Sequence, residues 1–214
     1  MAIIIPAILT DKEDVYREQL RRSQYACQIV QIDVIDGKFA NNKTIGPEVI
    51  AKYPTSVSLE IQLMVLDSLS YIRDLKGLEF ISRIIVPFEK NNDLKECIYQ
   101  VKDAGKQIGV SLNPGTEIAK VKDLFGEIDM LLLLGVEPGF SGQKFQEVVL
   151  AKIKEAKKIS RGLAVEVDGG INFETASKAA EAGADFLAAN SVLFKAPDFY
   201  LALEELTKLV SGAK

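Results

Sequence analysis

No histidine occurs anywhere in the 214 residues. That absence excludes Ser-His-Asp and Cys-His catalysis, zinc sites built on histidine ligands, and an imidazole acid or base near neutral pH. Cysteine is scarce: Cys27 and Cys97 stand far apart with no C-x-x-C spacing, so a thiolate metal site or redox pair is not expected. Cys27 lies in an apolar stretch and reads as a small buried hydrophobe. Long hydrophobic runs are missing too. Residues 2–9 are apolar but broken by Pro6, and Met130–Leu134 falls far below the roughly 20 residues of a membrane helix. There is no basic excess either. Lys and Arg number 26 against 30 Asp and Glu, a net charge of −4, which argues against nucleic acid or an anionic membrane as partner. Free thiols and no leader-like segment lead us to expect a cytoplasmic setting.

What remains is an ordinary globular composition, 48% hydrophobic and 26% charged, with no linker or low-complexity tract to divide it. Residues 1–214 read as one domain. Short aliphatic or β-branched runs alternate with charged segments of helical period from end to end. Strands are expected at 3–9, 29–35, 58–65, 83–86, 107–112, 129–134, 164–167 and 185–189. Helices are expected at 12–24, 47–53, 68–76, 93–104, 118–125, 143–160, 173–182 and 197–210. Several strands are continuously apolar, as in a parallel sheet covered on both faces. Eight βα units at roughly 27 residues each indicate a compact (β/α)8 TIM barrel of the α/β class. An open doubly wound sheet is disfavoured, because the first strand-to-helix turn, Leu9-Thr10-Asp11-Lys12, lacks a glycine fingerprint.

Barrel active sites lie at the C-terminal ends of the strands, and period-2 parity shows which residues share the interior. Gln31 and Asp33 share a face, with Asp36 following at the mouth. Glu60, Gln62 and Met64 share another, and Glu166 and Asp168 a third. Buried carboxylates cost several kcal/mol when unpaired, so three strands carrying such pairs favour a polar active-site floor over a purely structural network. Glycine-rich turns follow the last strands: Pro138-Gly139-Phe140-Ser141-Gly142, opening a helix near Gln143, then Asp168-Gly169-Gly170, then Asn190-Ser191. Their freed backbone amides suit a phosphate. Two carboxylates beside a phosphate grip suggest proton transfer next to a carbonyl. One Asp removes a proton to give an enediolate, and the other returns one on the opposite face.

At these residues the chain resembles the ribulose-phosphate 3-epimerase family. The resemblance rests on Gln31-Ile-Asp-Val-Ile-Asp-Gly-Lys-Phe39 with Thr44-Ile-Gly-Pro47, and on Glu60-Ile-Gln-Leu-Met64. It extends to Val136-Glu-Pro-Gly-Phe-Ser-Gly-Gln-Lys-Phe145 and Glu166-Val-Asp-Gly-Gly-Ile171. It implies a (β/α)8 barrel interconverting ribulose 5-phosphate and xylulose 5-phosphate, with Asp33 and Asp168 as the acid/base pair. It further implies a phosphate grip from Gly139, Phe140, Ser141, Gly142, Gly169, Gly170, Asn190 and Ser191, and a homo-oligomer.

The departures from that family fall on the floor. The family holds a divalent metal with two histidines and the two aspartates, and both histidine positions are glutamine here, Gln31 and Gln62. A serine of its first strand is Ala7. Two of its pocket methionines correspond to Ile35 and Leu134, while Met64 is kept, and a glycine of the last turn is Asn190. Carboxamides bind zinc or iron poorly. No cofactor of that kind is therefore expected; an all-oxygen set of Gln31, Asp33, Gln62 and Asp168 leaves Mg2+ open. The same amides could instead serve the substrate, donating to the enediolate oxygens. Other readings are another lyase or isomerase on the same barrel, and a silent sugar-phosphate binder. Lys38, Lys144 and the lysine-rich stretch 152–158 read as solvated, and Phe140 as a lid or loop-packing residue.

Overall fold

The computed structural model describes residues 1–212. Eight parallel strands close into a barrel in chain order: β1 (Ile3–Ile8), β2 (Ile29–Ile35), β3 (Ser58–Met64), β4 (Ile81–Pro87), β5 (Gln107–Leu112), β6 (Met130–Leu134), β7 (Ala164–Asp168) and β8 (Phe186–Ala189). Around them lie α1 (Glu13–Gln24), α2 (Pro47–Ile50), α3 (Ser68–Leu75), α4 (Leu94–Asp103), α5 (Val148–Ile159), α6 (Phe173–Ala182), α7 (Ser191–Phe194) and α8 (Phe199–Ser211). Closure leaves no sheet edge, and every strand is covered outside by helix and inside by its neighbours' side chains. This is why β6 is five buried apolar residues with no alternation. Among the described residues no helix is long and apolar enough to cross a membrane.

The large core lies between sheet and helices, and includes Val30, Ile32, Leu59, Ile61, Leu131, Leu133, Val165 and Val167. Opposite parity sends Ile85, Met130, Leu132 and Leu134 into the barrel's own interior, packed against Ala164 and Phe186. A third small cluster, Ile35, Phe39 and Met64 with Leu9 and Ala40, lines the mouth.

Strand positions agree with the pattern to within a few residues, whereas three helical expectations need correction. Segment 118–125 forms two 3-10 turns, Ile118–Lys120 and Lys122–Leu124, rather than one helix. The helix expected from 143 starts only at Val148. Before it, Phe145 is buried and Gln146 N donates to Gly135 O at 2.8 Å, so tertiary pairing at the end of β6 keeps this stretch out of the helix. An additional one-turn helix, α7, follows β8. The lysine stretch is not uniformly solvated. Lys152 is buried and donates to Asn113 O at 2.8 Å, and Lys157 donates to Leu163 O and pairs with Asp185. Cys27 is half-buried and Cys97 fully so, both free thiols.

Candidate active site

At the C-terminal end of the barrel lies a cleft. Asp33 from β2 and Asp168 from β7 form its floor, with Met64 and Leu134 as walls. Its rim holds Gly139, Phe140, Ser141, Gly142, Gly169, Gly170, Asn190 and Ser191. The expected acid pair, Met64 and the residues of the glycine turns therefore meet in one place, but Gln31 and Gln62 do not line it. Those two are fully buried and lie outside the cleft lining, hydrogen-bonded to the aspartates. Leu9, Ile171 and Ala188 also line the cleft. Sequence reasoning passed over them because apolar residues at strand ends look like any other core.

The floor is a tight hydrogen-bonded group. Ladder register sets Asp33 opposite Gln62, and Gln31 opposite both Ala7 and Glu60. Gln31 Nε2 donates to Asp33 Oδ1 at 2.7 Å and to Gln62 Oε1 at 2.8 Å. Turned the other way, the Gln62 carboxamide places its nitrogen 3.0 Å from Asp33 Oδ1 and 2.8 Å from Asp168 Oδ2, donating to both. One atom of Gln62 thus sits among both acids and the other amide.

Burial is the main influence on both acids. It pushes the Asp33 carboxyl well above its ordinary value, helped by the charge of Asp168 and partly offset by the Gln31 hydrogen bond. It pushes Asp168 up to about 7, against hydrogen bonds from Gln31, Gly169 and Gln62. Among the described residues neither carboxylate has a Lys or Arg within salt-bridge distance. Two close acids of this kind titrate as a pair that holds one proton over a range of pH. Asp36 behaves differently. Its burial is outweighed by amides of Phe39, Leu66 and Lys38, which hold its carboxyl below the usual range. It organises the loop after β2 and stands outside the cleft lining.

Beneath this floor lies a second polar layer. Arg83 Nη1 donates to Glu60 Oε2 at 2.6 Å and lies 4.0 Å from Glu166 Oε2, while its other nitrogens reach Gln107 Oε1. Glu60 and Glu166, expected as part of the active-site floor, are instead sealed below it with this guanidinium.

The rim depends on unusual backbone. Gly169 and Gly170 have φ of +99° and +73°. A Cβ at Gly170 would stand 2.9 Å from the Phe145 Cα, and one at Gly169 2.5 Å from Val136 Cγ2. The turn at 138–142 does not open directly onto a helix, since α5 begins at Val148. Its amides come from the turn itself. Asn42 Nδ2 donates to Gly139 O at 2.5 Å, which ties this turn to the loop after β2. Asn190 spends its side-chain nitrogen on Ala7 O at 2.7 Å. Phe140 is 54% exposed and stands over the cleft, whereas Lys38 and Lys144 point to solvent.

For a metal, the donor set is two carboxylates and two carboxamides. Among the described residues no group of three or more His, Cys, Asp or Glu side chains could hold an ion. Without imidazole or thiolate, the set does not fit zinc or iron.

Fold and floor together define a (β/α)8-barrel enzyme with two close acids at the base of a glycine-rimmed cleft. The family model described as the ribulose-phosphate 3 epimerase family matches residues 3–194. Ribulose-phosphate 3-epimerase of Bacillus subtilis (strain 168) is 38% identical over 186 residues, 83% of this chain and 84% of that protein. The Aquifex aeolicus ribulose-phosphate 3-epimerase is 31% identical over 222 residues, 100% of this chain and 99% of that one. The chain belongs to the ribulose-phosphate 3-epimerase family, and it is an epimerase. Among solved structures, 3-hexulose-6-phosphate synthase from Salmonella typhimurium covers both chains fully with TM-score 0.74 at 18% identity, a likeness of fold alone.

Proposed function

We propose that this epimerase interconverts ribulose 5-phosphate and xylulose 5-phosphate by moving a proton at C3. The observation that carries this reading is the pair Asp33 and Asp168, set together on the cleft floor, Asp33 buried and Asp168 half-buried, with no cationic partner among the described residues. An acid pair that retains one proton has a base and an acid ready at once, which inversion at carbon requires. The ionised Asp takes the C3 proton, and the C–H electrons move into the C2 carbonyl to give an enediolate. The protonated Asp then delivers its proton to the opposite face of C3, and the carbonyl re-forms. The two residues exchange roles for the reverse reaction.

The glycine turns 138–142 and 168–170 supply amides for the phosphate, fixing the sugar so that C3 lies between the acids. Leu9, Met64 and Leu134 keep the floor apolar, which sustains the raised carboxyl values. No step is assigned to a metal. We further propose a cytoplasmic setting and a homo-oligomer, consistent with family membership.

The test is incubation with ribulose 5-phosphate in D2O, with hydrogen exchange at C3 followed by NMR. Exchange that disappears in Asp33→Asn and in Asp168→Asn supports the assignment. No exchange by the wild-type protein, with or without added divalent metal, would reject it.

A further inference from the structure

We infer that the Gln31–Gln62 carboxamide pair takes the place of the metal ion on which this family generally depends, so that Asp33 and Asp168 are held by amides and the enzyme works without a divalent metal. The functional half of this statement rests on the epimerase reading above, whereas the metal-binding half stands on the donor set alone.

Three observations carry it. The first is chemical. An ion of the zinc or iron kind is held weakly without nitrogen or sulfur donors, and the sequence has no histidine to offer. Its two thiols are elsewhere, Cys97 on α4 and Cys27 between α1 and β2. The second is spatial. A metal sits at the point where its donors converge, about 2.0–2.2 Å from each. Here that point of convergence is filled by the end of a side chain. One Gln62 carboxamide atom lies 2.8 Å from Gln31 Nε2, 2.8 Å from Asp168 Oδ2 and 3.0 Å from Asp33 Oδ1. Those are hydrogen-bond lengths: with its nitrogen at this point Gln62 donates to both acids, and with its oxygen there it accepts from Gln31 Nε2.

The third is burial. Gln31 and Gln62 are fully buried and Asp33 is 3% exposed. A glutamine cannot swing aside without opening the barrel interior. One carbonyl, Gln31 Oε1, is left without a partner. That neutral oxygen is a weak donor, and no imidazole or thiolate stands beside it. The role left for both glutamines is positioning. They hold two acids at fixed separation and donate N–H groups to them, a task the ion performs in relatives that bind one.

The experiment uses the full-length protein, stripped with a chelator and then equilibrated separately with Zn2+, Co2+ and Mg2+. Metal content is read by mass spectrometry and by titration calorimetry. We expect fewer than about 0.1 equivalents of any ion bound, and C3 exchange within about twofold of its starting rate in all states, because the donors lack the nitrogen or sulfur that favours Zn2+ and Co2+ and the two carboxylates are already engaged by amides in place of Mg2+. The paired variant Q31H/Q62H, which restores two nitrogen donors, is expected to bind about one zinc, and to lose it when Asp33→Asn is added. In the wild-type background Gln62→Leu is expected to lower kcat about 100-fold while KM changes less than about threefold, since it removes orientation rather than substrate contacts. Near-stoichiometric metal in the wild-type protein, abolished by Asp33→Asn, overturns the proposal whether or not the protein turns over. So does exchange that vanishes on chelation and returns with one ion. A wild-type protein that binds no ion and shows no exchange defeats the epimerase reading and the claim of metal-free turnover together. Its metal content still separates that outcome from failure of the metal argument, and no variant has to fold for the measurement to decide.

Discussion

Two pairs of carboxylates face the inside of this barrel, one above the other, and among the described residues only the lower pair has a cation. Glu60 and Glu166 share Arg83, which donates to Glu60 at 2.6 Å and stacks over Phe186 at 5.3 Å. Burial pushes both glutamates upward, Arg83 draws them back, and Glu166 remains well above its ordinary value beside Glu60. One guanidinium and one shared proton leave that layer close to neutral and closed to solvent. Asp33 and Asp168 have amides in place of a guanidinium, and they open onto a cleft. A buried acid that is neutralised and sealed serves the structure. One that is left uncompensated beside an open cleft stays poised to exchange its proton.

The largest expected effect breaks the upper pair. Asp33→Asn and Asp168→Asn should each lower kcat by about 10^2–10^4, the range of a lost general acid or base. Circular dichroism should stay unchanged. An activity loss below tenfold in either variant would mean that the two layers do not differ in the way described.

Next comes the lower pair. Arg83→Met strands two buried glutamates and should cost about 3–5 kcal/mol of stability. The triple replacement E60L/R83M/E166L removes charge on both sides and should be neutral or stabilising by about 1–4 kcal/mol. C3 exchange should then survive in the triple variant. A folded triple variant that has lost exchange would move the lower layer into the catalytic machinery.

A smaller effect separates the layers by pH. Burial raises the folded value of Asp168 to about 7, above its value of 3.8 in an unfolded chain. The native state therefore binds more protons across that window, and stability falls as pH rises through it. Relative to Asp168→Asn, the wild-type protein should lose on the order of 1–3 kcal/mol between pH 4 and pH 8. Urea unfolding at the two pH values measures this. A difference of the opposite sign would show that Asp168 is held ionised, as a paired carboxylate would be.

Much of this arrangement was legible in the strand pattern. Period-2 parity placed Gln31 with Asp33, Gln62 with Met64 and Glu166 with Asp168, because a barrel interior admits one face of each strand. Parity does not report depth, so Glu60 and Glu166 looked equivalent to the aspartates above them. Arg83 was invisible for a related reason: its partner Glu60 lies 23 residues away, across the β3–β4 register. The delayed start of α5 was hidden because its cause, the pairing of Gln146 with Gly135, is tertiary. Lys152 was misread because a lysine-rich helical segment resembles a solvated face whichever lysine turns inward.

Lys152 offers the smallest test and the mirror image of the acids. It is a buried cation held by the carbonyls of Asn113 and Pro114, with no carboxylate in hydrogen-bond contact. Burial lowers its value to about 8, with Glu89 and Glu155 pulling the other way. The unfolded chain, with an ordinary lysine at 10.5, binds more protons above pH 8, so stability from this residue rises as pH climbs from about 8 toward 10.5. Lys152→Met removes that dependence and should change stability at pH 7 by no more than about 1 kcal/mol, since an apolar chain of similar length fills the same space. Paired unfolding curves at pH 7.5 and 9.5 read the effect directly. A Lys152→Met cost well above that figure, with no pH dependence, would place this lysine with Arg83, as a cation whose charge the fold requires.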